Sequence, residues 1–161
     1  MLLGLSVLVV VSIAIISYSQ LEKRNLGTTV QQGIYTNTAY GFQIASSNVS
    51  NPVDPMEGGD GIVDPKTVQY AIDATTVVTI VSNVEATTYA DALISNAGSY
   101  LVQHRKVTIN NKEAEYLEMG FANGTRTHDY VFSKGADSII VSIHLPKSES
   151  PQAIINSFVF K

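Results

Sequence analysis

Residues 103–145 read QHRKVTINNKEAEYLEMGFANGTRTHDYVFSKGADSIIVSIHL, and four β-strand patterns follow one another in this stretch. The turn signals between them are Asn110-Asn111, Asn123-Gly124 and the run 134–137. Asn and Gly adopt positive φ at little cost, which two-residue hairpin turns require. Because strands joined by hairpins pair antiparallel, the pattern predicts a four-stranded antiparallel meander.

Helical patterns lie on both sides of this meander. Thr87 or Thr88 is a candidate N-cap, and apolar residues recur after it at helical spacing as far as about Leu101. A shorter helix is predicted after Ser150, with Pro151 at its first position. Helices that cover an antiparallel sheet make an α+β domain, so an antiparallel sheet flanked by helices is the predicted fold.

The chain upstream of the first helix is less regular. Residues 35–45 hold one strand candidate, in which Phe42 and Ile44 alternate with polar or small residues. Residues 46–66 are predicted to form a long loop because Pro and Gly punctuate them. Residues 68–84 are rich in β-branched side chains and predict one or two further strands.

The first 18 residues, MLLGLSVLVVVSIAIISY, contain no charged side chain. A helix of that length spans about 27 Å, which is close to the thickness of a bilayer's hydrocarbon core. We therefore predict a transmembrane helix, either an anchor or an uncleaved signal, over residues 1–20. A stalk is predicted over residues 21–34, and one domain over residues 35–161.

The orientation of this predicted anchor depends on two opposing observations. Lys23 and Arg24 follow the apolar run, which favours a cytoplasmic domain under the positive-inside rule. The domain is nevertheless rich in Ser, Thr and Asn, lacks Cys and has sequons at Asn48 and Asn123. We expect the domain on the extracytoplasmic side of the membrane.

Composition excludes several classes of function. A net charge of −4 weighs against a nucleic-acid partner, which normally requires a basic surface. The chain has no cysteine, which excludes disulfides, thiol catalysis and Cys-zinc sites. None of the motifs G-x-S-x-G, H-E-x-x-H, S-x-x-K or the Walker loop is present in the sequence. No catalytic residue and no cofactor are assigned.

Two groups of residues are weak candidates for a metal site. One is acidic, and its carboxylates are the hard oxygen ligands that Ca²⁺ prefers: Asp54, Glu57, Asp60 and Asp64. Their spacing is not that of an EF-hand, so a solvated acidic loop is the favoured interpretation. The other group consists of histidines, which bind zinc or act as bases when they converge: His104, His128 and His144. Singly exposed histidines on a sheet are the favoured interpretation there.

Two tyrosines flank the Asn-Gly turn on adjacent predicted strands. Tyr116 precedes the turn and Tyr130 follows it. Aromatic residues of this kind can line a recognition groove, but side chains on paired strands also pack directly against each other. Cross-strand packing is the predicted role of this pair.

Residues 35–161 resemble the PsbP-like domain family. The resemblance lies in the opening strand, TAYGFQIA at residues 38–45, and in the meander that runs into the closing NSFVFK at residues 156–161. The family often has a proline-aromatic pair after the opening strand, whereas residues 46–49 of this chain are Ser-Ser-Asn-Val. The resemblance implies a sandwich built on an antiparallel sheet flanked by helices, and an extracytoplasmic accessory or binding role. It implies no particular ligand.

These observations lead to three hypotheses about function. The first is a membrane-anchored extracytoplasmic accessory or binding domain without catalytic activity, attached to the membrane through residues 1–18 and bound to an unidentified protein partner. The second is a type IV pilin-like filament subunit, although Leu5 stands where bacterial pilins usually carry Glu. The third and weakest is a small hydrolase or metal-binding protein.

Overall fold

A computed structural model of the chain describes residues 28–31, 33–46, 56–58 and 67–161. The predicted membrane anchor lies outside these ranges. No helix within the described ranges is long and apolar enough to cross a membrane.

The described residues form two antiparallel sheets and two α-helices. A four-stranded sheet has the order β1-β2-β3-β11, and a seven-stranded sheet has the order β4-β5-β6-β10-β9-β8-β7. The strands are β1 (Thr28–Gln31), β2 (Ile34–Asn37), β3 (Phe42–Ala45), β4 (Met56–Gly58), β5 (Thr67–Ala71), β6 (Thr76–Val81), β7 (Leu101–Ile109), β8 (Lys112–Gly120), β9 (Thr125–Lys134), β10 (Asp137–Pro146) and β11 (Val159–Phe160). The helices are α1 (Ala86–Ala97) and α2 (Gln152–Asn156).

The predicted meander is confirmed as strands β7 to β10, each paired antiparallel with the next. Asn110 and Asn111 have φ values of 48° and 64°, which are those of a type I′ turn. At the next hairpin only Gly124 has a positive φ, 82°, so that connection is a longer loop. Asn123 stabilises the loop, because its Oδ1 accepts hydrogen bonds from the backbone N and the hydroxyl of Thr125.

The strand predicted within residues 35–45 is confirmed as β3, but the prediction missed a second strand, β2, which precedes it and is joined to it by a turn. Asn37 initiates the turn, since its Oδ1 accepts a hydrogen bond from the backbone N of Tyr40 at 3.0 Å. Gly41 completes it with a φ of 58°.

The prediction of an uninterrupted loop over residues 46–66 is wrong. Strand β4 lies within it and pairs with β5, with Glu57 opposite Val68. The prediction of one or two strands over residues 68–84 is confirmed by β5 and β6. Short strands of this kind are stabilised by their neighbours more than by their own sequence, so a loop composition does not exclude them.

Helix α1 differs from its prediction at both ends. Glu85 is the N-cap, without a side-chain capping bond, so neither Thr87 nor Thr88 has that role. The helix ends before Gly98, whose φ is 51°, and Leu101 already belongs to β7. In the short helix α2, Pro151 is the N-cap rather than the first helical residue.

The α+β class with antiparallel sheets is confirmed, but helices alone do not flank the large sheet. The four-stranded sheet and α2 cover one face, where the main core contains Tyr35, Phe42, Tyr70, Phe132, Ile155 and Phe158. Helix α1 covers the other face through Tyr89, Ala90 and Leu93, which pack on Leu117, Val131 and Ile140. Each strand of the meander alternates between these two cores, as the period of two requires.

Candidate functional site

The three histidines lie in β7, β9 and β10 of the large sheet. His128 lies on the face toward the four-stranded sheet, whereas His104 and His144 lie on the face toward α1, as the alternation along each strand requires. Strands β7 and β10 are separated by two others, which places His104 and His144 at least about 14 Å apart. The structure therefore does not bring the three imidazoles together.

His128 is buried, with 5% of its surface exposed, so the interpretation as a singly exposed histidine is wrong for this residue. Its Nδ1 lies 2.9 Å from the hydroxyl of Tyr116, and that hydroxyl donates a hydrogen bond to Glu118 at 3.2 Å. Because the Tyr116 hydroxyl donates its hydrogen to Glu118, it can only accept a hydrogen bond from His128. Nδ1 of His128 is therefore the protonated ring nitrogen. Glu118 is ion-paired with Arg126.

The other ring nitrogen of His128, Nε2, is buried and has no hydrogen-bond partner. Burial lowers the pKa of His128, and the nearby charge of Arg126 lowers it further. The imidazole is therefore neutral near pH 7, and it belongs to the polar edge of the core rather than to the protein surface.

The other two histidines make single contacts on the opposite face. His104 Nε2 lies 2.9 Å from Glu115 Oε2, and Lys106 Nζ lies 3.5 Å from the second oxygen of the same carboxylate. His144 Nδ1 lies 2.9 Å from the hydroxyl of Thr127. The carboxylate of Glu115 thus faces two side chains of β7.

The predicted packing of the tyrosine pair is confirmed. Tyr116 and Tyr130 are direct cross-strand partners, with ring centroids 5.0 Å apart. The guanidinium of Arg105, on the neighbouring strand β7, lies 5.2 Å from the centroid of the Tyr116 ring. Burial raises the pKa of Tyr130 to about 12 and also raises the pKa of Tyr116, so both phenols stay protonated at physiological pH.

A groove of about 530 Å³ opens beside this cluster. One wall is the face of β7 and β8 that points toward the four-stranded sheet, and it includes Arg105, Tyr116 and Glu118. The other wall is the segment of residues 150–152, where α2 begins. Polar and charged side chains line most of the groove. The arrangement suits a ligand that presents hydrogen-bonding or charged groups.

Strand β7 is one of the two outermost strands of the large sheet, and no described strand pairs with its outer edge. Three exposed apolar residues cluster where β7 begins and β8 ends: Tyr100 (53% exposed), Val102 (53%) and Phe121 (39%). The rings of Tyr100 and Phe121 lie 5.5 Å apart. Periodicity predicts β7 as a strand, but it does not show that the strand lies at an edge.

Of the four acidic candidates, only one lies within the described residues. Asp54, Asp60 and Asp64 lie outside the described residues, and Glu57 is part of β4. Within the described ranges, no group of three or more His, Asp or Glu residues is arranged to hold a metal ion.

Sequence reasoning missed Asp129, which is 3% exposed on the α1 face of β9. It lies directly across from Ser142 on β10, and the Ser142 side chain forms a hydrogen bond with it. Burial raises the pKa of Asp129 to about 6, although the Ser142 hydrogen bond opposes that shift. The available signal was its position between Thr127 and Val131 on an alternating strand, which places a carboxyl on a covered face.

No protein-family model matches the chain. No curated protein matches it either. Among solved structures, the chain is similar to the solution structure of cyanobacterial PsbP (CyanoP) from Synechocystis sp. PCC 6803, with 13% identity and a TM-score of 0.45 over 84% of this chain and 99% of that chain. It is also similar to a crystal structure from Bacteroides thetaiotaomicron VPI-5482, with 14% identity and a TM-score of 0.40 over 84% of this chain and 48% of that chain. The first of these structures belongs to the family that the sequence resembles.

Proposed function

We propose that this chain is a membrane-anchored accessory domain without catalytic activity, which binds another protein on the extracytoplasmic side. The uncharged apolar run of residues 1–18 supports the membrane attachment. The high content of Ser, Thr and Asn and the sequons at Asn48 and Asn123 support the extracytoplasmic side. The binding surface is the outer edge of β7, where an extended segment of the partner adds one strand to the sheet.

The observation that carries this proposal is the long outer edge of β7, with which no strand of the described residues pairs. The strand has nine residues, against the ordinary five or six. In an antiparallel sheet, an edge strand directs about half of its backbone N–H and C=O groups away from its only neighbour. These groups form a ready template for an extended peptide, and the main-chain hydrogen bonds supply affinity.

Exposed apolar side chains at the beginning of β7 support the same surface. Val102 lies close over Gly120 on the neighbouring strand, because a Cβ built on Gly120 would lie 3.0 Å from Val102 Cγ2. Tyr100 and Phe121 lie beside them and contact each other. Clusters of this kind on a soluble domain are typical of contact sites for other proteins. They give the added strand an apolar anchor at one end.

The β7 edge is also already formed before a partner arrives. Val107 packs against the main core, and Ile109 is buried in it. Pairing with β8 is regular from Gln103 to Ile109, and the only register shift lies between Leu101 and Gln103. A preformed strand loses little conformational entropy on binding, so more of the interaction free energy remains as affinity.

Selection from a library of random peptides long enough to span β7, carried out on the purified full chain, tests this function. Selected peptides should shift the backbone amide NMR signals of residues 101–109 and leave those of the exposed face of α1 unchanged. Recovery of no binder, or binders that shift only signals distant from β7, would overturn the proposed surface.

N-methylation of a selected peptide provides the matched control. In an added strand, the N–H groups of alternate residues point toward β7, and those of the remaining residues point away. We expect methylation of one alternating set to abolish binding and methylation of the other set to be tolerated. Equal tolerance of both sets would show that the peptide does not bind as a strand.

A further inference from the structure

We propose that the segment that binds to β7 is acidic, and that Arg105 binds one of its carboxylates in the groove between β7 and residues 150–152. This inference rests on the proposed function and specifies the chemistry of the partner. It follows from the distribution of charge around β7 and from the alternation of side chains along an added strand.

Strand β7 is locally basic in an acidic protein. The chain has a net charge of −4, whereas residues 101–109 contain Arg105, Lys106 and His104 and no acidic residue. The charge of β7 therefore attracts an acidic segment, whereas the net charge of the whole chain repels it. A basic segment would be repelled by the charge of β7 and attracted by the net charge of the chain.

Arg105 is the cation of β7 that is left without a carboxylate partner among the described residues. The carboxylate of Glu115 lies within 3.5 Å of Lys106 and 2.9 Å of His104, so it is matched on the other face of the strand. The carboxylate of Glu118 lies in the same wall of the groove as Arg105. It is, however, ion-paired with Arg126 and accepts a hydrogen bond from the hydroxyl of Tyr116. The charge of Arg105 is thus available to a ligand.

The Tyr116 ring orients the Arg105 side chain. The guanidinium lies over the ring at 5.2 Å, a contact that restricts a long side chain without using its N–H donors. A planar guanidinium held in this way binds a carboxylate through two parallel hydrogen bonds, which an ammonium group does not reproduce. The groove therefore favours a carboxylate side chain over other polar groups.

The alternation of side chains along an added strand places some of the partner's side chains next to Arg105. Successive side chains of an added strand point to opposite faces of the sheet, so every second one lies on the face that carries Arg105 and the groove. The groove volume of about 530 Å³ is sufficient for an Asp or Glu side chain together with water molecules that hydrate its carboxylate. The preferred partner has acidic residues at alternating positions and an apolar residue near Tyr100 and Phe121.

The test compares two synthetic peptides, one with Glu at alternating positions and one with Gln at those positions, on the full chain. The acidic peptide should bind about tenfold more tightly, and added salt should reduce this advantage. Arg105→Gln should lower the affinity for the acidic peptide to that for the Gln peptide, and so remove the preference. Lys147→Gln, at an exposed cation outside the groove, is the matched control and should retain the preference.

The outcomes separate this inference from the proposed function. Equal affinity for the two peptides, with the amide NMR signals of β7 still shifted, would overturn the acidic specificity and leave strand addition intact. A preference that survives Arg105→Gln would show that Arg105 does not bind the carboxylate. Failure of both peptides and of every library peptide to bind would overturn the proposed function itself.

Discussion

His128 and Asp129 are consecutive residues of β9 that are buried on opposite faces of the seven-stranded sheet, with 5% and 3% of their surfaces exposed. His128 contacts Tyr116 on the side of the four-stranded sheet, and Asp129 is hydrogen-bonded to Ser142 on the side of α1. Burial lowers the pKa of the histidine and raises the pKa of the aspartate to about 6. The two groups therefore make stability depend on pH in opposite directions.

The substitution Asp129→Asn should stabilise the fold at neutral and alkaline pH. The folded-state pKa of about 6 lies above the ordinary 3.8, so the contribution of Asp129 is most favourable below about pH 4 and is lost as the pH rises through 6. We expect a gain of up to about 3 kcal/mol at pH 8 and almost none at pH 4. Urea unfolding of the native chain and the variant between pH 4 and pH 8 measures this gain in the free energy of unfolding. A gain that is equal at both pH values would contradict the titration of Asp129.

The substitution His128→Gln should make the fold less sensitive to acid. A histidine whose folded-state pKa is lowered stabilises the fold above its ordinary value of 6.5, and that contribution is lost as the pH falls. The free energy of unfolding should therefore decrease less between about pH 7 and pH 5 in the variant than in the native chain. The same substitution in a chain that carries Asp129→Asn is the control, and it should change the pH dependence of stability by the same amount. An unchanged acid slope would argue against a buried neutral imidazole.

The substitution Gly41→Ala should destabilise the hairpin between β2 and β3. Gly41 has a φ of 58°, and an added Cβ would lie 2.7 Å from Lys134 Nζ and 3.2 Å from the carbonyl oxygen of Lys161. Gly135 is the matched control, because its φ is 64° but no atom lies within 4 Å of the added Cβ. Thermal unfolding should show a loss of about 1 kcal/mol for Gly135→Ala and about 2 kcal/mol for Gly41→Ala. Equal losses would mean that Lys134 and Lys161 adjust without cost.

The substitution Phe158→Ala should remove a ring that joins the two sheets. Phe158 is 1% exposed, and its centroid lies 5.7 Å from that of Phe42 and 5.0 Å from that of Phe132. The loss of a buried aromatic ring costs about 3–5 kcal/mol, which denaturant unfolding measures directly. Val159→Ala, at the neighbouring and exposed position, should cost about 0.5 kcal/mol. A small effect of Phe158→Ala would show that the sheets are held together elsewhere.

Attachment through residues 1–18 predicts that the full chain behaves as an integral membrane protein. Alkaline carbonate removes peripheral proteins but does not extract a helix that spans the hydrocarbon core. We expect the full chain in the membrane pellet after this wash, and a chain that begins at Gly33 in the supernatant. Full-length protein in the supernatant would rule out the anchor.

Much of the fold follows from local patterns in the sequence. The hairpins of the meander depend on Asn and Gly at positions of tight turns, and the alternation along Ile139, Val141 and Ile143 shows that one face of β10 is buried. The pairing of Tyr116 with Tyr130 follows from the position of the turn between them. These features involve neighbouring residues, so their physical causes are present in a short segment of chain.

The remaining features depend on contacts between distant segments. The alternation along a strand indicates that the strand has two faces, but not whether a helix or a second sheet covers each face. The burial of His128 therefore could not be predicted from the sequence of residues 126–130. The pairing of β10 with β6 joins Ile139 to Ile80, and it completes the strand order that leaves β7 at the edge. Such pairings form because they bury the largest apolar area for the whole chain, and no single segment contains that information. The position of Arg105 beside an open groove is a consequence of that order, and only the tertiary structure determined it.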